Sequence, residues 1–177
     1  MSLIILDRDG VINADSPDHI RSAADWQPLT GSLEAIARLT HAGHRVVVAT
    51  NQSGVGHGLI SIETLNHIHE TMVSEVATHG GVIEGVFFCP CHPDDGCEYR
   101  KPKPGLLLQI AERARVPLAG VPVVGDSQRD LDAALAVGAR PVLVRTGNGA
   151  ATQAALAAAV EVYDDLAHFT AHYLGER

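Results

Sequence analysis

The chain has 177 residues, of which 46% are hydrophobic, and its formal net charge is −8 at pH 7. This length predicts one domain over residues 1–177, and the apolar content excludes an intrinsically disordered chain. With 13 Lys and Arg against 21 Asp and Glu, and no run of basic residues, a nucleic-acid partner is not expected. An anionic membrane surface is disfavoured for the same reason.

The distribution of apolar residues also bears on location. No apolar stretch reaches the roughly 18 residues of a transmembrane helix, and the charges that follow the first six residues interrupt any signal-peptide core. We therefore expect a cytoplasmic protein without a membrane partner, and a monomer. The 3 Cys lie between positions 89 and 97. In a reducing compartment an odd number favours a metal site or free thiols over disulfides.

Six short apolar runs, each ending at polar residues or glycine, predict β-strands. They cover residues 3–6, 45–50, 85–89, 121–125, 141–144 and 160–163. The segments between them have helical periodicity and predict helices at residues 32–41, 62–78, 105–115 and 129–137, and an Ala-rich surface helix at residues 150–159. Strands that alternate with helices form parallel sheets. The pattern predicts an α/β protein with a three-layer, Rossmann-like fold.

Polar residues follow four of the predicted strands, where ligands of parallel sheets bind. They are Asp7 and Asp9 after the first strand, Thr50 at the end of the second, Lys101 after the third and Asp126 after the fourth. Carboxylates that converge repel one another unless a cation lies between them, and hard oxygen ligands suit Mg²⁺. The pattern predicts a Mg²⁺ site held by Asp7, Asp9 and Asp126.

These residue types suit phosphoryl transfer. A carboxylate oxygen of Asp7 could attack phosphorus and form an aspartyl phosphate. Asp9 could protonate the leaving alcohol and later deprotonate a water molecule. Thr50 and the backbone amides after it could hold phosphoryl oxygens, and Lys101 could neutralise the transferring group.

The Asp-Arg-Asp-Gly segment at residues 7–10 resembles the first motif of the haloacid dehalogenase (HAD) superfamily phosphatases. Thr50, Lys101 and residues 125–130 match the other three motifs in order, and the resemblance spans residues 3 to about 146. It implies that Asp7 is the nucleophile and a Mg²⁺ ligand. Asp9 would be the general acid and base, with its backbone carbonyl on the metal.

The same resemblance assigns the remaining motif residues. Thr50 would bind the phosphoryl group, Lys101 would stabilise the transition state, and Asp126 would complete the Mg²⁺ site. Lys103 competes for the lysine role, although the Arg-Lys-Pro context favours Lys101. Asp130 is expected as an outer partner of the site.

Within the superfamily, the chain resembles the small phosphatases that lack a cap domain. Asp-Arg-Asp-Gly, Thr-Asn-Gln-Ser-Gly, a cysteine-rich loop and Arg-Lys-Pro are typical of heptose bisphosphate and histidinol-phosphate phosphatases. Residues 53–58 and 103–105 favour the heptose branch, whose 7-phosphatases supply precursors of lipopolysaccharide. Histidinol phosphate remains the alternative substrate.

Without a cap, loops must shape the pocket for a small phosphorylated sugar. The candidate loops cover residues 13–25, 53–59 and 90–99. The predicted substrate contacts are Asp15, Asp18, Asn51, Gln52, Ser53, Arg100 and Lys101. Arg100 is also placed in the catalytic set, because a guanidinium fork suits the second phosphate of a bisphosphate.

The cysteine-rich loop predicts a structural Zn²⁺ site, because four soft or borderline ligands occur within nine residues. The predicted ligands are Cys89, Cys91, His92 and Cys97. The similar phosphatases bind zinc with Cys-x-His and a later Cys-x-Cys. Here Cys91 stands where their His falls and Tyr99 where their last Cys falls, so His92 is expected to supply the missing ligand. The alternative is three unrelated thiols.

Rival interpretations leave more of the pattern unexplained. A phospho-accepting receiver-type module also uses an acidic cluster, a Thr and a Lys, but it has no acid or base two residues after its nucleophile. A zinc-dependent interaction module leaves the acidic residues without a role. A phosphotransferase is conceivable on the same scaffold. A dehalogenase is disfavoured, since that chemistry has no alkoxide for Asp9 to protonate.

Overall fold

A computed structural model describes residues 2–176, which form a parallel sheet of six strands covered by helices. The strands are β1 (Leu3–Leu6), β2 (Arg45–Asn51), β3 (Gly85–Cys89), β4 (Pro122–Gly125), β5 (Arg140–Val144) and β6 (Glu161–Tyr163). The helices are α1 (Ser32–His41), α2 (Ile62–Thr78), α3 (Gly105–Ala114), α4 (Gln128–Ala136), α5 (Gly149–Ala155) and α6 (Leu166–Tyr173), with single 3₁₀ turns at Ala23–Asp25 and Pro93–Asp95.

The strand order is β3-β2-β1-β4-β5-β6. β2 and β3 are added on one side of β1, and β4, β5 and β6 are then added on the other side. Leu6 pairs with Val48 of β2 and with Val124 of β4, so the three central strands end close to the same line. A reversal of strand order creates a crevice at the carboxyl edge of the sheet.

Two apolar cores lie on opposite faces of the sheet, because successive strand residues point to opposite sides. One core joins α1, α2 and α6 to alternate strand positions, among them Ile4 and Leu6. The other joins α3 and α4 to the positions between, among them Leu3 and Ile5. The near-continuous apolar runs of the sequence therefore reflect strands that are covered on both faces.

The predicted three-layer fold is confirmed, and the predicted strands end within one residue of the observed ones. The Ala-rich helix is shorter than expected and ends at Ala155, whereas α6 was not predicted. Within residues 2–176, no helix has both the length and the apolar character needed to cross a membrane.

Candidate active site

A cavity of about 190 Å³ opens at the carboxyl ends of the central strands. It is lined by ten of the residues predicted for the site: Asp7, Asp9, Asp15, Thr50, Asn51, Gln52, Ser53, Arg100, Lys101 and Asp126. The topology therefore brings together side chains from loops that are far apart in sequence.

Lys101 is buried at the floor of this cavity. Its Nζ lies 3.0 Å from Oδ1 of Asp7 and 2.6 Å from Oδ1 of Asp130, and it donates to the carbonyl of Ala49 at 2.7 Å. Burial alone would lower the pKa of Lys101, but the carboxylates of Asp130 and Asp7 raise it overall. Lys101 is therefore a fixed positive charge beside Asp7.

The acidic residues of the cavity are poised for a cation. The pKa of Asp7 is raised to about 8, first by burial and then by Asp130, with Lys101 opposing the change. The pKa of Asp126 is raised to about 6, again mainly by burial. Carboxylate oxygens of Asp7, Asp126 and Asp130 lie within 4.8 Å of one another. Protonation or a bound cation would relieve this crowding.

Asp130 is already satisfied by its own partners. Besides Lys101, it accepts hydrogen bonds from the backbone N–H and the hydroxyl of Ser127, at 3.0 and 2.6 Å, in a capping box at the start of α4. The pKa of Asp130 is lowered by Lys101 and Ser127 against the effect of burial. Asp7 and Asp126 are left to face a cation, and oxygen ligands of this kind fit Mg²⁺.

Two glycines leave the space in which the Asp126 carboxylate lies. A Cβ on Gly10 would lie 2.1 Å from Oδ2 of Asp126, and one on Gly147 would lie 2.2 Å from the same atom. Both glycines have positive φ, +79° and +56°. That oxygen accepts hydrogen bonds from the backbone and side-chain nitrogens of Asn148, at 2.8 and 3.1 Å. The cradle fixes the direction in which Asp126 points.

Asp9 is held by a set of nitrogen donors. Nε and Nη2 of Arg8 donate to its carboxylate at 3.0 and 2.9 Å, Nδ2 of Asn13 at 2.9 Å and Nε2 of Gln52 at 2.9 Å. Its side chain remains 22% exposed, toward the cavity it lines. Nε2 of Gln52 also donates to the hydroxyl of Thr50 at 2.9 Å, which links Thr50 to Asp9.

Asn51 ties the second motif to the third. Its side-chain amide donates to the backbone carbonyl of Lys101 at 3.0 Å, and its Oδ1 accepts from the backbone N–H of Lys101 at 3.1 Å. The paired contacts fix the backbone that carries the buried lysine. Asn51 was predicted as a substrate contact, and although it lines the cavity, its amide is engaged with the protein itself.

Asp18, predicted as a substrate contact, is not among the residues that line the central cavity. Asp18 lies outside the central cavity, in a neighbouring groove with His19, Arg21 and Asp25. The loop turns at His19, whose φ is +61°, and His19 lines the central cavity. Sequence spacing does not reveal such a reversal inside an irregular loop.

The three thiols of the cysteine-rich loop converge. The sulfurs of Cys89, Cys91 and Cys97 lie within 4.8 Å of one another, and those of Cys89 and Cys97 are 3.6 Å apart. Three thiols in this arrangement fit three positions of a tetrahedral zinc site.

The predicted fourth ligand, His92, does not join the thiols. Nδ1 of His92 accepts a hydrogen bond from the backbone N–H of Asp94, as the cap of the 3₁₀ turn that follows, and its ring packs on His57 at 4.2 Å. Among residues 2–176, no His, Asp or Glu side chain stands with the three sulfurs.

Among the lining residues that were not predicted for the site, Arg129 and Asn148 have contacts that bear on its chemistry. Arg129, in the first turn of α4, lines the cavity beside Arg100, and its charge, after burial, lowers the pKa of Arg100. Asn148 precedes α5 and holds Asp126. The strand-end rule would have found both if it had been extended to the helix starts that follow β4 and β5.

Comparison with known proteins gives consistent matches. A model of the HAD-hydrolase-like family matches residues 98–169, and a model of the polynucleotide kinase 3 phosphatase family matches residues 3–128. The chain is similar to D-glycero-β-D-manno-heptose-1,7-bisphosphate 7-phosphatases. That of Bordetella bronchiseptica is 53% identical over 99% of each chain. That of Pseudomonas putida is 50% identical over 94% of this chain and 96% of its own.

Solved structures agree with these matches. A D,D-heptose 1,7-bisphosphate phosphatase from B. bronchiseptica, crystallised with magnesium and phosphate, superposes with a TM-score of 0.96 at 52% identity over 100% of both chains. The Burkholderia thailandensis enzyme superposes with a TM-score of 0.79 at 45% identity, over 99% of this chain and 100% of its own. The chain belongs to the HAD superfamily, in the family of the D-glycero-β-D-manno-heptose-1,7-bisphosphate 7-phosphatases.

Proposed function

We propose that the chain is a Mg²⁺-dependent phosphatase that removes the 7-phosphate of D-glycero-D-manno-heptose 1,7-bisphosphate through an aspartyl phosphate. The observation that carries the proposal is the placement of Asp7, which lies between the fixed charge of Lys101 and the carboxylate of Asp126 at the cavity floor. The names of the relatives and the magnesium and phosphate in the B. bronchiseptica structure support the substrate and the metal.

The first half of the reaction transfers the phosphoryl group to the chain. An oxygen of Asp7 forms a bond to phosphorus while the bond from phosphorus to the sugar oxygen breaks. The carboxyl group of Asp9 gives its proton to that oxygen. Lys101 and the hydroxyl of Thr50 stabilise the phosphoryl oxygens. Mg²⁺, held by Asp7, Asp126 and the backbone carbonyl of Asp9, would supply further positive charge at the phosphoryl group.

The second half releases phosphate. A water molecule attacks phosphorus, its proton passes to the carboxylate of Asp9, and the bond from phosphorus to Asp7 breaks. The donors around Asp9, from Arg8, Asn13 and Gln52, hold its carboxyl group in place for this transfer. Both half-reactions need an acid and base two residues after the nucleophile. A receiver-type module has no such residue, and Asp9 therefore distinguishes this chain from one.

The second phosphate of the substrate is expected to bind Arg100 and Arg129. The two guanidinium groups border one cavity and repel each other, so a dianionic group between them relieves the repulsion. Asp15, Gln52 and Ser53 line the same cavity and offer partners for sugar hydroxyls. We also propose that the three thiols bind a zinc ion with a structural role. The protein is further proposed to be a cytoplasmic monomer with a single domain.

The test is phosphate release with Mg²⁺ from both anomers of heptose 1,7-bisphosphate, beside histidinol phosphate. We expect a preference of about 100-fold or more for one heptose anomer, since the second phosphate adds charge-assisted contacts. Asp7→Asn should abolish release while the chain stays folded. A preference for histidinol phosphate would keep the mechanism and overturn the substrate. About one phosphate held per chain, without turnover, would indicate a receiver-type module.

A further inference from the structure

Arg8, the residue between the two catalytic aspartates, is fully buried, with 0% of its surface exposed. A buried guanidinium is stable only when its donors are paired, because removing a charge from water is costly. A guanidinium group has five N–H donors and no acceptor. Its partners therefore decide how it is oriented.

One edge of the guanidinium binds Asp9. Nε and Nη2 both donate to Oδ1, and Nη2 also donates to Oδ2 at 3.1 Å. The planar fork of an arginine fixes the plane of the carboxylate that it binds. The direction of the Asp9 oxygens in the cavity thus depends on the orientation of Arg8.

The other edge of the guanidinium binds His69, on α2. Nη1 of Arg8 lies 3.1 Å from Nε2 of His69. Since arginine nitrogens only donate, Nε2 of His69 is the acceptor and the imidazole is neutral. Burial, and then the charge of Arg8, lower the pKa of His69 to about 4, which agrees with that form. His69 is itself buried, and its ring lies 5.5 Å from the ring of Phe88.

We propose that His69 is a positioning residue for the acid and base of the reaction: it holds Nη1 of Arg8, and Arg8 in turn holds the carboxylate of Asp9. This inference rests on the proposed function. His69 touches neither substrate nor the reacting atoms and acts through Arg8. Without its acceptor, Nη1 would be a buried donor with no partner, and the guanidinium would turn to find one. Asp9 would then lose the alignment that proton transfer requires.

The test compares leaving groups. A sugar alkoxide leaves only with a proton, whereas 4-nitrophenolate leaves without one. The value of kcat/KM covers the steps up to the first irreversible bond cleavage. With a sugar ester, kcat/KM therefore depends on proton donation to the leaving group, whereas with 4-nitrophenyl phosphate it does not. The substrates are heptose 1,7-bisphosphate, glycerol 3-phosphate as a simpler alcohol ester, and 4-nitrophenyl phosphate.

For His69→Leu we expect kcat/KM to fall about 10-fold with the two alcohol esters and less than about twofold with 4-nitrophenyl phosphate, since acid catalysis contributes 10²-fold or more in full. His69→Gln, whose amide oxygen can accept from Arg8, should restore most of the loss. Phe88→Leu, which alters packing at His69 without a polar contact, should leave the ratio between esters unchanged.

An equal loss with all three esters in His69→Leu would overturn the proposal, as would a His69→Gln variant that behaves like His69→Leu. If His69→Leu fails to fold, His69→Asn replaces it, because its shorter amide does not reach the guanidinium. A wild-type chain that hydrolyses the other two esters but not the heptose bisphosphate would overturn the proposed substrate alone. The ratio with glycerol 3-phosphate would still decide the role of His69.

Discussion

At the scale of single residues, the cavity contains positive charges that differ in how far they are paired with the protein. Lys101 is buried and paired with two carboxylates, so its charge is fixed beside Asp7. Arg100 and Arg129 border the cavity, and the bond from Nη1 of Arg100 to the carbonyl of Cys91 is long, at 3.5 Å. Guanidinium groups with so few partners are available for a ligand.

Arg129→Ala should weaken binding of the bisphosphate. We expect KM for heptose 1,7-bisphosphate to rise about 10-fold, because one charge-assisted contact contributes about 1.5–3 kcal/mol. The KM for 4-nitrophenyl phosphate, which has one phosphate, should change less than about twofold. Steady-state kinetics with both substrates measure this difference. Arg113→Ala, on the exposed face of α3, is the control. Equal changes for the two substrates would contradict the assignment of Arg129.

At the scale of elements, the loop between β5 and α5 supports the metal site although it supplies no carboxylate to it. Gly147 leaves room for Asp126, Asn148 donates to it, and the hydroxyl of Thr146 donates to the carbonyl of Gly10 at 2.6 Å. The loop reaches residues 7–10 from β5, and β5 and β2 lie on opposite sides of β1 in the sheet. Its geometry therefore sets the position of the residue proposed to complete the Mg²⁺ site.

Gly147→Ala should lower the affinity for Mg²⁺. The added methyl would meet Oδ2 of Asp126 at 2.2 Å and the Cα of Gly10 at 2.6 Å. We expect the Mg²⁺ concentration for half-maximal activity to rise by about 10-fold or more, as for other supporting residues of metal sites. Gly138→Ala is the matched control: its φ is also positive, at +67°, but nothing lies within 4 Å of its Cβ position. It should cost stability only.

The cysteine-rich loop is a second element whose order is expected to depend on a metal. The three thiols precede Arg100 and Lys101 directly, and the loop has no buried residue between Cys89 and Lys101 to hold it. Zinc removal by a chelator should lower the melting temperature and raise KM, because the backbone that positions Arg100 loosens. Metal analysis of the purified chain should give one zinc per chain. Unchanged kinetics and melting after zinc removal would contradict the structural role.

Several elements were predictable because their signals are local. Short apolar runs that end at polar residues or glycine mark the strands, and Gly43 and Gly138 follow helices with positive φ, at +84° and +67°. The strand order was not predictable, since pairing of β4 with β1 depends on contacts between distant segments. α6 was missed because its apolar positions are separated by histidines.

The residues of the site likewise divide into those with a local sequence signal and those that only the fold brings together. The convergence of Asp7, Asp126 and Lys101 on one cavity was predictable because each follows a predicted strand at a motif position. Arg8 and His69 gave no signal: an arginine between two aspartates looks solvent-exposed, and only the fold brings α2 against it. Asp18 and His92, which lie outside the central cavity and the thiol cluster, are both in loops, where spacing does not fix the direction of a side chain.

At the scale of the whole molecule, the acidic cluster makes stability depend on pH. The pKa of Asp7 is raised to about 8 in the folded chain from an ordinary value of 3.8. Between these values the folded state holds a proton that the unfolded state has released, so stability falls as pH rises. Below pH 4 both states are protonated and the contribution vanishes. Mg²⁺ opposes the fall, because it binds the ionised carboxylates.

Asp7→Asn should therefore stabilise the metal-free chain at pH 8 while it abolishes turnover. We expect a rise in melting temperature of about 2–4 °C, which is about 1 kcal/mol for a chain of this size. The rise should shrink toward pH 4 and disappear when the comparison is made against wild type saturated with Mg²⁺. Thermal melts in EDTA and in Mg²⁺ across this pH range measure it. A destabilised Asp7→Asn at pH 8 would show that the carboxylate is ionised without cost.

Because β1 is synthesised first but lies between β2 and β4 in the sheet, the residues of the site are made at very different times during translation. The ribosome delivers Asp7 at the start, yet its neighbour β4 and the loop that holds Asp126 are made more than a hundred residues later. Until then β1 has β2 on one side and an open edge on the other. A nascent chain thus contains the proposed nucleophile before the proposed metal ligand Asp126 has been made. The proposed reaction therefore requires the chain as far as residue 148, because β4 fills the open edge of β1 and Asn148 holds Asp126.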